Sequence, residues 1–86
     1  MINKETFKKK LIYRSCHRGS KEMDILLGEF VKIHIDQFNK LDLSNLMDIL
    51  SLDDEILHQW YFYKKINNLV PNNKVSNMLS KFIIPT

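Results

Sequence analysis

The sequence predicts an all-α fold, a compact bundle of about five short helices in one domain over residues 1–86. The first observation is that only two glycines and two prolines interrupt the 86 residues, so few positions force the chain out of helical conformation. The second is that apolar residues recur at helical spacing in several segments, without the bounded alternation typical of strands. The third is the length, which is that of a single small domain.

The first two helices are predicted on either side of Gly19. The first covers about residues 4–17, with Phe7 and Leu11 on its apolar face. The second covers about residues 21–37 and has a broad apolar stripe made of Met23, Leu26, Leu27, Phe30, Val31, His34 and Ile35. Gly28 lies inside this stripe. Either a neighbouring helix packs closely against it, or the helix loses about 1 kcal/mol relative to alanine.

The next two helices are predicted from their caps. Asn39 can cap the third helix, with Asp42 near the third helical position as an imperfect capping box. Its apolar positions follow at helical spacing and are Leu43, Leu46, Met47 and Leu50. Asp53 is a good cap for the fourth helix, whose positive N-terminal end also suits the acidic residues at positions 54 and 55.

The fourth helix carries four consecutive aromatic residues at positions 60–63. Successive residues cover all sides of a helix, so the four cannot all lie in the core. We expect Trp60 and Tyr63 to face inward with Ile56, and Tyr61 or Phe62 to be exposed enough to anchor a partner.

The C-terminal part is predicted to be a loop followed by a last helix. Residues 67–73 are polar and contain Pro71, which predicts a loop. The helix after it covers about residues 74–83. Its core positions are predicted to be Val75, Met78, Leu79, Phe82 and Ile83.

Composition limits the classes of function. The net charge of +3 permits a nucleic-acid partner without requiring one. The lysines at positions 8–10 are expected to form a solvated face, and a helix beginning Asp53-Asp54-Glu55 would repel phosphate in a helix-turn-helix. One cysteine excludes an intrachain disulfide, and no apolar run approaches the length of a membrane span. We expect a protein of the bacterial cytoplasm, with no membrane insertion and no nucleic-acid partner.

Metal binding and catalysis are not indicated by the histidines and the cysteine. His17, His34 and His58 are far apart in sequence, and none forms a pair with ligand spacing. Cys16 and His17 are neighbours, but successive helical side chains point about 100° apart. We therefore expect no metal site and no catalytic residue.

The corner between the first two helices, residues 18–22, has two interpretations. Helix-end chemistry explains its residues if Gly19 is a left-handed C-terminal cap, Arg18 complements the end of the first helix, Ser20 caps the second and Glu22 lies in its first turn. The same corner could instead offer a guanidinium and a carboxylate to a partner surface, while Gly19 lets the partner's backbone approach.

Two blocks of sequence resemble the succinate dehydrogenase flavinylation (assembly) factors, the SdhE-type proteins. The hallmark RGxxE of that family is matched by Arg18, Gly19 and Glu22, followed by Met23-Asp24, Leu26-Leu27-Gly28 and Phe30. Its second block, a hydrophobic pair, an acidic turn and a tryptophan, is matched by Ile49-Leu50, Asp53-Asp54 and Trp60. The resemblance covers about residues 8–63.

The resemblance implies a helical bundle that is an assembly factor and not itself an oxidoreductase. It would bind the flavoprotein subunit of succinate dehydrogenase, and in bacteria that of fumarate reductase, and promote covalent attachment of FAD to a histidine of that subunit. Arg18, Gly19 and Glu22 would form the contact, with His17, Asp24 and Arg14 as secondary candidates. FAD would belong to the partner, because this chain has no dinucleotide fingerprint. We expect a monomer that binds no cofactor stably.

Two other functions remain open from the sequence alone. The basic composition and helical fold also fit a small regulator that binds nucleic acid or neutralises a toxin. An autonomous enzyme using Cys16 and His17 is the third hypothesis, which the geometry of neighbouring helical residues disfavours.

Overall fold

The computed structural model describes residues 3–84, and every regular element in that range is helical. The five helices are α1 (Lys4–Cys16), α2 (Lys21–His34), α3 (Lys40–Leu50), α4 (Asp54–Phe62) and α5 (Lys74–Lys81), with one turn of 3₁₀ helix (Ile35–Gln37) extending α2. The predicted all-α fold is confirmed, as are the breaks near Gly19 and at residues 67–73. None of the helices in the described range is long and apolar enough to cross a membrane.

Side-chain caps fix where four of the helices begin. The side chains of Asn3 and Ser20 accept hydrogen bonds from the amides of Thr6 and Met23, at 2.8 and 3.3 Å. Complete capping boxes start α3, from Asn39 and Asp42, and α5, from Asn73 and Ser76. The capping box predicted at Asn39 is confirmed and is more regular than expected.

Asp53 is the exception among the caps. It stands at the N-cap position of α4 with extended backbone, but its side chain makes no capping hydrogen bond. The sequence interpretation of Asp53 as a side-chain cap was therefore wrong. The carboxylate that is engaged at this end of α4 belongs to the next residue, Asp54.

Among the described helices, α2 contributes the most buried apolar residues, and its apolar stripe is buried against the other helices. Its fully or almost fully buried apolar residues are Met23, Leu26, Leu27, Phe30 and Val31. Gly28 is also buried, and a Cβ placed on it would lie 3.2 Å from the Cys16 Sγ. This confirms the first of the two explanations for Gly28, since α1 packs closely against α2 at that point.

The inward face of α4 differs from the prediction. Leu57 is buried, and Trp60 and Tyr61 pack against the core, whereas Tyr63 is 66% exposed. The helix ends at Phe62, so Tyr63 lies beyond it, and the spacing i, i+3, i+4 from Leu57 selects residues 60 and 61. The prediction that Tyr63 faces inward was wrong.

The C-terminal helix is shorter than predicted. It ends at Lys81, and the chain continues with extended backbone at Phe82. Val75 and Leu79 are buried, and Met78 and Phe82 are partly buried as expected, but Ile83 is exposed. The prediction for Ile83 was wrong because the helical spacing no longer applies beyond residue 81.

Tyr61 links α4 to the end of α5. Its hydroxyl donates a hydrogen bond to the carbonyl of Phe82, the C-cap residue of α5. Burial raises the pKa of Tyr61 above its ordinary value, because the charged phenolate loses hydration there.

We predict that stability falls as pH rises above about 10, the ordinary pKa of tyrosine, and that Tyr61 contributes to this fall. A raised pKa means that the folded state keeps a proton which the unfolded state has already lost. The contribution is complete below pH 10 and is lost as the folded pKa is passed. Tyr61→Phe should remove this part of the slope and cost about 1 kcal/mol at neutral pH.

Urea unfolding between pH 8 and pH 11 measures this contribution. Tyr63→Phe is the matched control, because it removes the same hydroxyl from an exposed tyrosine, and the slope of Tyr61→Phe is compared with the slope of this variant. Equal slopes in Tyr61→Phe and Tyr63→Phe would contradict the prediction.

Candidate functional site

The corner between α1 and α2 is fastened to the turn between α3 and α4 by Arg18. Its Nη1 and Nη2 donate to the carbonyls of Leu50 and Leu52 at 2.6 and 2.7 Å, and its Nε donates to Asp54 Oδ1 at 2.6 Å. Leu50 ends α3, so the guanidinium satisfies a carbonyl that has no partner within the helix. The Arg18 side chain is only 10% exposed.

Carboxylates accept both backbone amides of this corner. Asp54 Oδ2 accepts the amide of Gly19 while its other oxygen accepts from Arg18, and Asp24 accepts the amide of Arg18. Asp54 therefore bridges a side chain and a backbone group of the corner from across the fold. We call Arg18, Gly19, Asp24 and Asp54 the corner clamp.

Gly19 is required for close approach and not for its conformation. None of the glycines has a positive φ, so Gly19 is not the left-handed cap that the sequence predicted. A Cβ placed on Gly19 would lie 2.8 Å from Asp54 Oδ2, the oxygen that accepts its amide. A side chain here would have to displace a carboxylate that Arg18 also holds.

The structure corrects the helix-end interpretation of the Arg18 side chain. The guanidinium does not complement the end of α1, because its three engaged nitrogens face the α3–α4 turn. The contact of Arg18 with a partner stays a prediction. A pairing across more than thirty residues was not visible to helix-end reasoning. Arg18 is thus placed as the residue that holds the corner in shape.

Glu22 is the accessible charged residue of the motif. Its side chain is 69% exposed and lies one turn into α2, with Oε2 3.0 Å from Nε2 of His58 on α4. The His58 ring lies 4.7 Å from the Phe62 ring and 5.6 Å from the Tyr63 ring, measured between centroids. The carboxylate is thus held beside an aromatic cluster at the end of α4.

A shallow depression of about 540 Å³ lies beside the corner. We call it the corner depression, and its lining includes Gly19, Ser20, Met23, Glu55, His58 and Tyr63. Because Gly19 has no side chain, the wall of the corner depression is low at that residue. Because Asp54 also reaches this surface, the depression is acidic and aromatic in character.

The remaining candidates lie on α1 or inside the clamp. His17 is exposed, donates from Nδ1 to the carbonyl of Tyr13 at 2.9 Å, and stacks on the Tyr13 ring with 4.0 Å between the centroids. Arg14 extends toward α3, with Nη1 3.4 Å from Met47 Sδ. The structure therefore brings Arg18, Gly19 and Asp24 together, while Arg14 and His17 have other contacts.

Sequence reasoning missed Asp54 and His58 as members of the site. They are four residues apart, which places both on one face of α4, and that spacing was the available signal. Asp54 was interpreted as an acidic group at a helix N-terminus and as part of the acidic turn in the second block of the resemblance, and His58 only as a possible metal ligand. Within residues 3–84, no group of three His, Cys, Asp or Glu side chains is arranged to hold a metal ion.

The lysine run on α1 is not a continuous patch of unpaired charge. Lys8 lies 3.3 Å from Asp36 Oδ1 and 3.8 Å from Glu5 Oε1, and its side chain is mostly buried. Only Lys9 and Lys10 of the run are exposed. No observation on this surface favours a nucleic-acid interface over a solvated helix face.

Comparison with known proteins identifies similar chains. Residues 9–83 match the model of a family described as "flavinator of succinate dehydrogenase". The chain is 32% identical over 76 residues to FAD assembly factor SdhE of Acetobacter pasteurianus, covering 88% of this chain and 67% of that protein. It is 31% identical over 75 residues to FAD assembly factor SdhE of Wigglesworthia glossinidia brevipalpis, covering 87% and 84% of the two chains.

A mitochondrial protein is also similar over a shorter stretch. Succinate dehydrogenase assembly factor 2 of Meyerozyma guilliermondii is 35% identical over 57 residues, which cover 66% of this chain and 42% of that protein. This chain thus spans less than half the length of that relative. No solved structure matches the chain significantly.

Proposed function

This chain belongs to the family described as flavinators of succinate dehydrogenase, and on that premise we propose that it is an assembly factor for a flavoprotein. It binds the flavoprotein subunit of succinate dehydrogenase and promotes covalent attachment of FAD to that subunit. The chain is a helper in this reaction and not itself an enzyme.

The exposed Glu22 beside a rigid corner is the observation that supports this proposal best. A carboxylate that is 69% exposed, on a corner fixed by the clamp, presents a preorganised acceptor to a larger protein. The bond between FAD and the flavoprotein is made by those two molecules. The contribution of this chain is to hold the flavoprotein in the arrangement in which they react.

We assign FAD to the partner and not to this chain. The corner depression carries Glu55 and Asp54, and these carboxylates would repel the diphosphate of FAD. Cys16 and His17 also have separate surroundings: the Cys16 Sγ packs near Gly28, and the His17 Nδ1 is engaged by the Tyr13 carbonyl. These two residues are not arranged as a nucleophile and its base.

Co-expression with a flavoprotein subunit tests the proposed function. The flavoprotein of succinate dehydrogenase is produced with and without this chain, and covalent flavin is read by its fluorescence on a denaturing gel. We expect strong fluorescence only when the chain is present. Equal fluorescence in both samples would contradict the assembly role.

Two further measurements test whether the chain serves a second flavoprotein and whether it acts as a monomer. A fumarate reductase flavoprotein, run in parallel, tests whether the chain serves a second flavoprotein. We propose that the chain acts as a monomer, and the mass of the purified complex with the flavoprotein should then correspond to one copy of each protein.

Glu22→Ala is predicted to weaken flavoprotein binding about tenfold, the effect of losing one charge-assisted contact. The free energy of unfolding should change by less than about 0.5 kcal/mol, because only a helix-end charge and an exposed pair with His58 are removed. Titration of the flavoprotein and urea unfolding give the two numbers.

His58→Ala separates the two partners of Glu22. It removes the contact at 3.0 Å but leaves the carboxylate in place, so we expect binding to fall less than in Glu22→Ala. A loss equal to that of Glu22→Ala would mean that Glu22 acts through His58 and not on the flavoprotein. Unchanged binding in Glu22→Ala would restrict the residue to a helix-end role.

A further inference from the structure

A second concave surface, separate from the corner depression, lies between the end of α4, the loop after it and α5. It encloses about 300 Å³. Among residues 3–84, its charged lining residues are Lys64 and Lys65, and asparagine and serine side chains complete the lining. Its apolar lining comes from Trp60, Tyr61, Ile66, Val70 and Pro71. We call this surface the lysine groove.

The lysine groove has charge and exposure suited to an acidic partner. Both lysines are exposed, and among residues 3–84 no carboxylate lies within 4.0 Å of either ammonium. Ile66 is almost fully exposed at the rim. An apolar floor with cations at its edge is complementary to a segment that carries an apolar side chain next to a carboxylate.

Lys64 occupies a backbone position that favours glycine. Its φ is +56°, and it is the only non-glycine residue with positive φ in the described range. It follows the last turn of α4, where the amide of Lys65 bonds back to the carbonyl of Gln59 at 3.2 Å. A left-handed residue at the end of a helix is usually glycine, because a Cβ is disfavoured there.

The side chain of Lys64 is directed to the groove. Its Nζ lies 5.2 Å from the centroid of the Tyr61 ring, a cation–π arrangement that keeps the ammonium at the rim. The backbone would be less strained with glycine at this position. The lysine is therefore explained by the contacts of its side chain, and no carboxylate of residues 3–84 pairs with it.

The groove adjoins the corner depression, which the flavoprotein is proposed to cover, through two residues that are neighbours in sequence. Tyr63 lines the corner depression and Lys64, the next residue, lines the lysine groove. The two surfaces have opposite charge, since the corner depression carries Glu55 and Asp54. A partner that covers both surfaces would bind in one orientation, because its own charges must match the change of sign between them.

We propose that the lysine groove is a second docking site for the flavoprotein and receives an extended acidic segment of it, with an apolar side chain on the groove floor and a carboxylate at Lys64. This inference rests on the proposed function. It adds a surface outside the RGxxE corner and states the chemistry of the segment that fills it.

The test compares three variants for affinity to the flavoprotein subunit, measured by titration at low and moderate salt. Lys64→Glu is expected to weaken binding at least tenfold, because it reverses the charge at the rim. Lys64→Gly is expected to weaken binding about threefold to tenfold while raising the urea midpoint, because glycine relieves the left-handed backbone. Lys9→Glu is the matched control: an exposed lysine of α1, outside the groove, with the same change of charge.

The outcomes distinguish failure of the groove proposal from failure of the proposed assembly function. If Lys64→Gly is more stable and binds as tightly as the wild type, or if Lys9→Glu loses as much affinity as Lys64→Glu, the groove does not dock the flavoprotein. In both cases the wild type still binds and flavinylates, so the proposed function stands. A wild type that neither binds nor flavinylates the subunit overturns both proposals.

Discussion

Arg18→Ala is expected to lower the free energy of unfolding by about 3 kcal/mol. The substitution removes the donor for Asp54 and for two backbone carbonyls, those of Leu50 and Leu52, and it leaves a carboxylate without its cation. Removing one partner of a buried pair typically costs about 3–5 kcal/mol. We take the lower end because the Asp54 side chain is 25% exposed and water can solvate it.

Such a loss is large for a chain of this size. A domain of 86 residues is expected to have a stability of roughly 4–13 kcal/mol, so the expected loss is about a quarter to three quarters of it. Urea unfolding followed by circular dichroism measures the difference. Arg18→Lys is the informative comparison, because it keeps the charge but cannot reach three acceptors at once and should recover less than half of the loss.

A double-mutant cycle tests whether the loss of stability in Arg18→Ala comes from its pairing with Asp54. In a double-mutant cycle with Asp54→Asn, the coupling between the two positions should exceed about 1 kcal/mol, since they share one clamp. As the temperature is lowered, flavoprotein binding by Arg18→Ala should increase in proportion to the fraction of the protein that is folded. A fully folded Arg18→Ala protein with no affinity would instead place the guanidinium in the interface.

Local sequence chemistry was sufficient to predict most of the fold. The Asn39 and Asp42 capping box, the stripe around Phe30 and the break at residues 67–73 all depend on residues within a few positions of one another. The aromatic run was misjudged at Tyr63, because its exposure depends on where α4 ends. The position of a helix end depends on competition between helical and other local conformations, so helix ends are the least regular part of a periodic pattern.

The sequence predicted residues of the site but did not predict how they are arranged. The sequence marks Arg18, Gly19 and Glu22, yet Arg18 and Glu22 find their partners, Asp54 and His58, 36 positions further along. Long-range pairing is decided by how α4 packs beside the corner. The spacing of Asp54 and His58 places both on one face of α4, but it does not show that this face meets the corner. The same packing explains why Gly19 matters for its missing Cβ and not for its backbone angles.

Gly19→Arg is expected to abolish flavinylation, for two reasons that can be measured separately. The first is the Cβ itself, which would lie 2.8 Å from Asp54 Oδ2 and force the carboxylate to move. Gly19→Ala isolates this effect and should cost about 1–2 kcal/mol of stability while leaving much of the flavoprotein binding. The second is the long side chain, which would extend over the corner depression and keep the flavoprotein away.

The Asp54→Ala background distinguishes these two effects. Without the Asp54 carboxylate the Cβ at position 19 has no oxygen to displace, so Gly19→Ala should then cost less than about 0.5 kcal/mol. Gly19→Arg should still prevent flavinylation in that background, because the side chain covers the depression whether or not the clamp is complete. If removing the carboxylate restored flavinylation to Gly19→Arg relative to Asp54→Ala alone, the glycine would serve the clamp only, and the corner would not be where the flavoprotein docks.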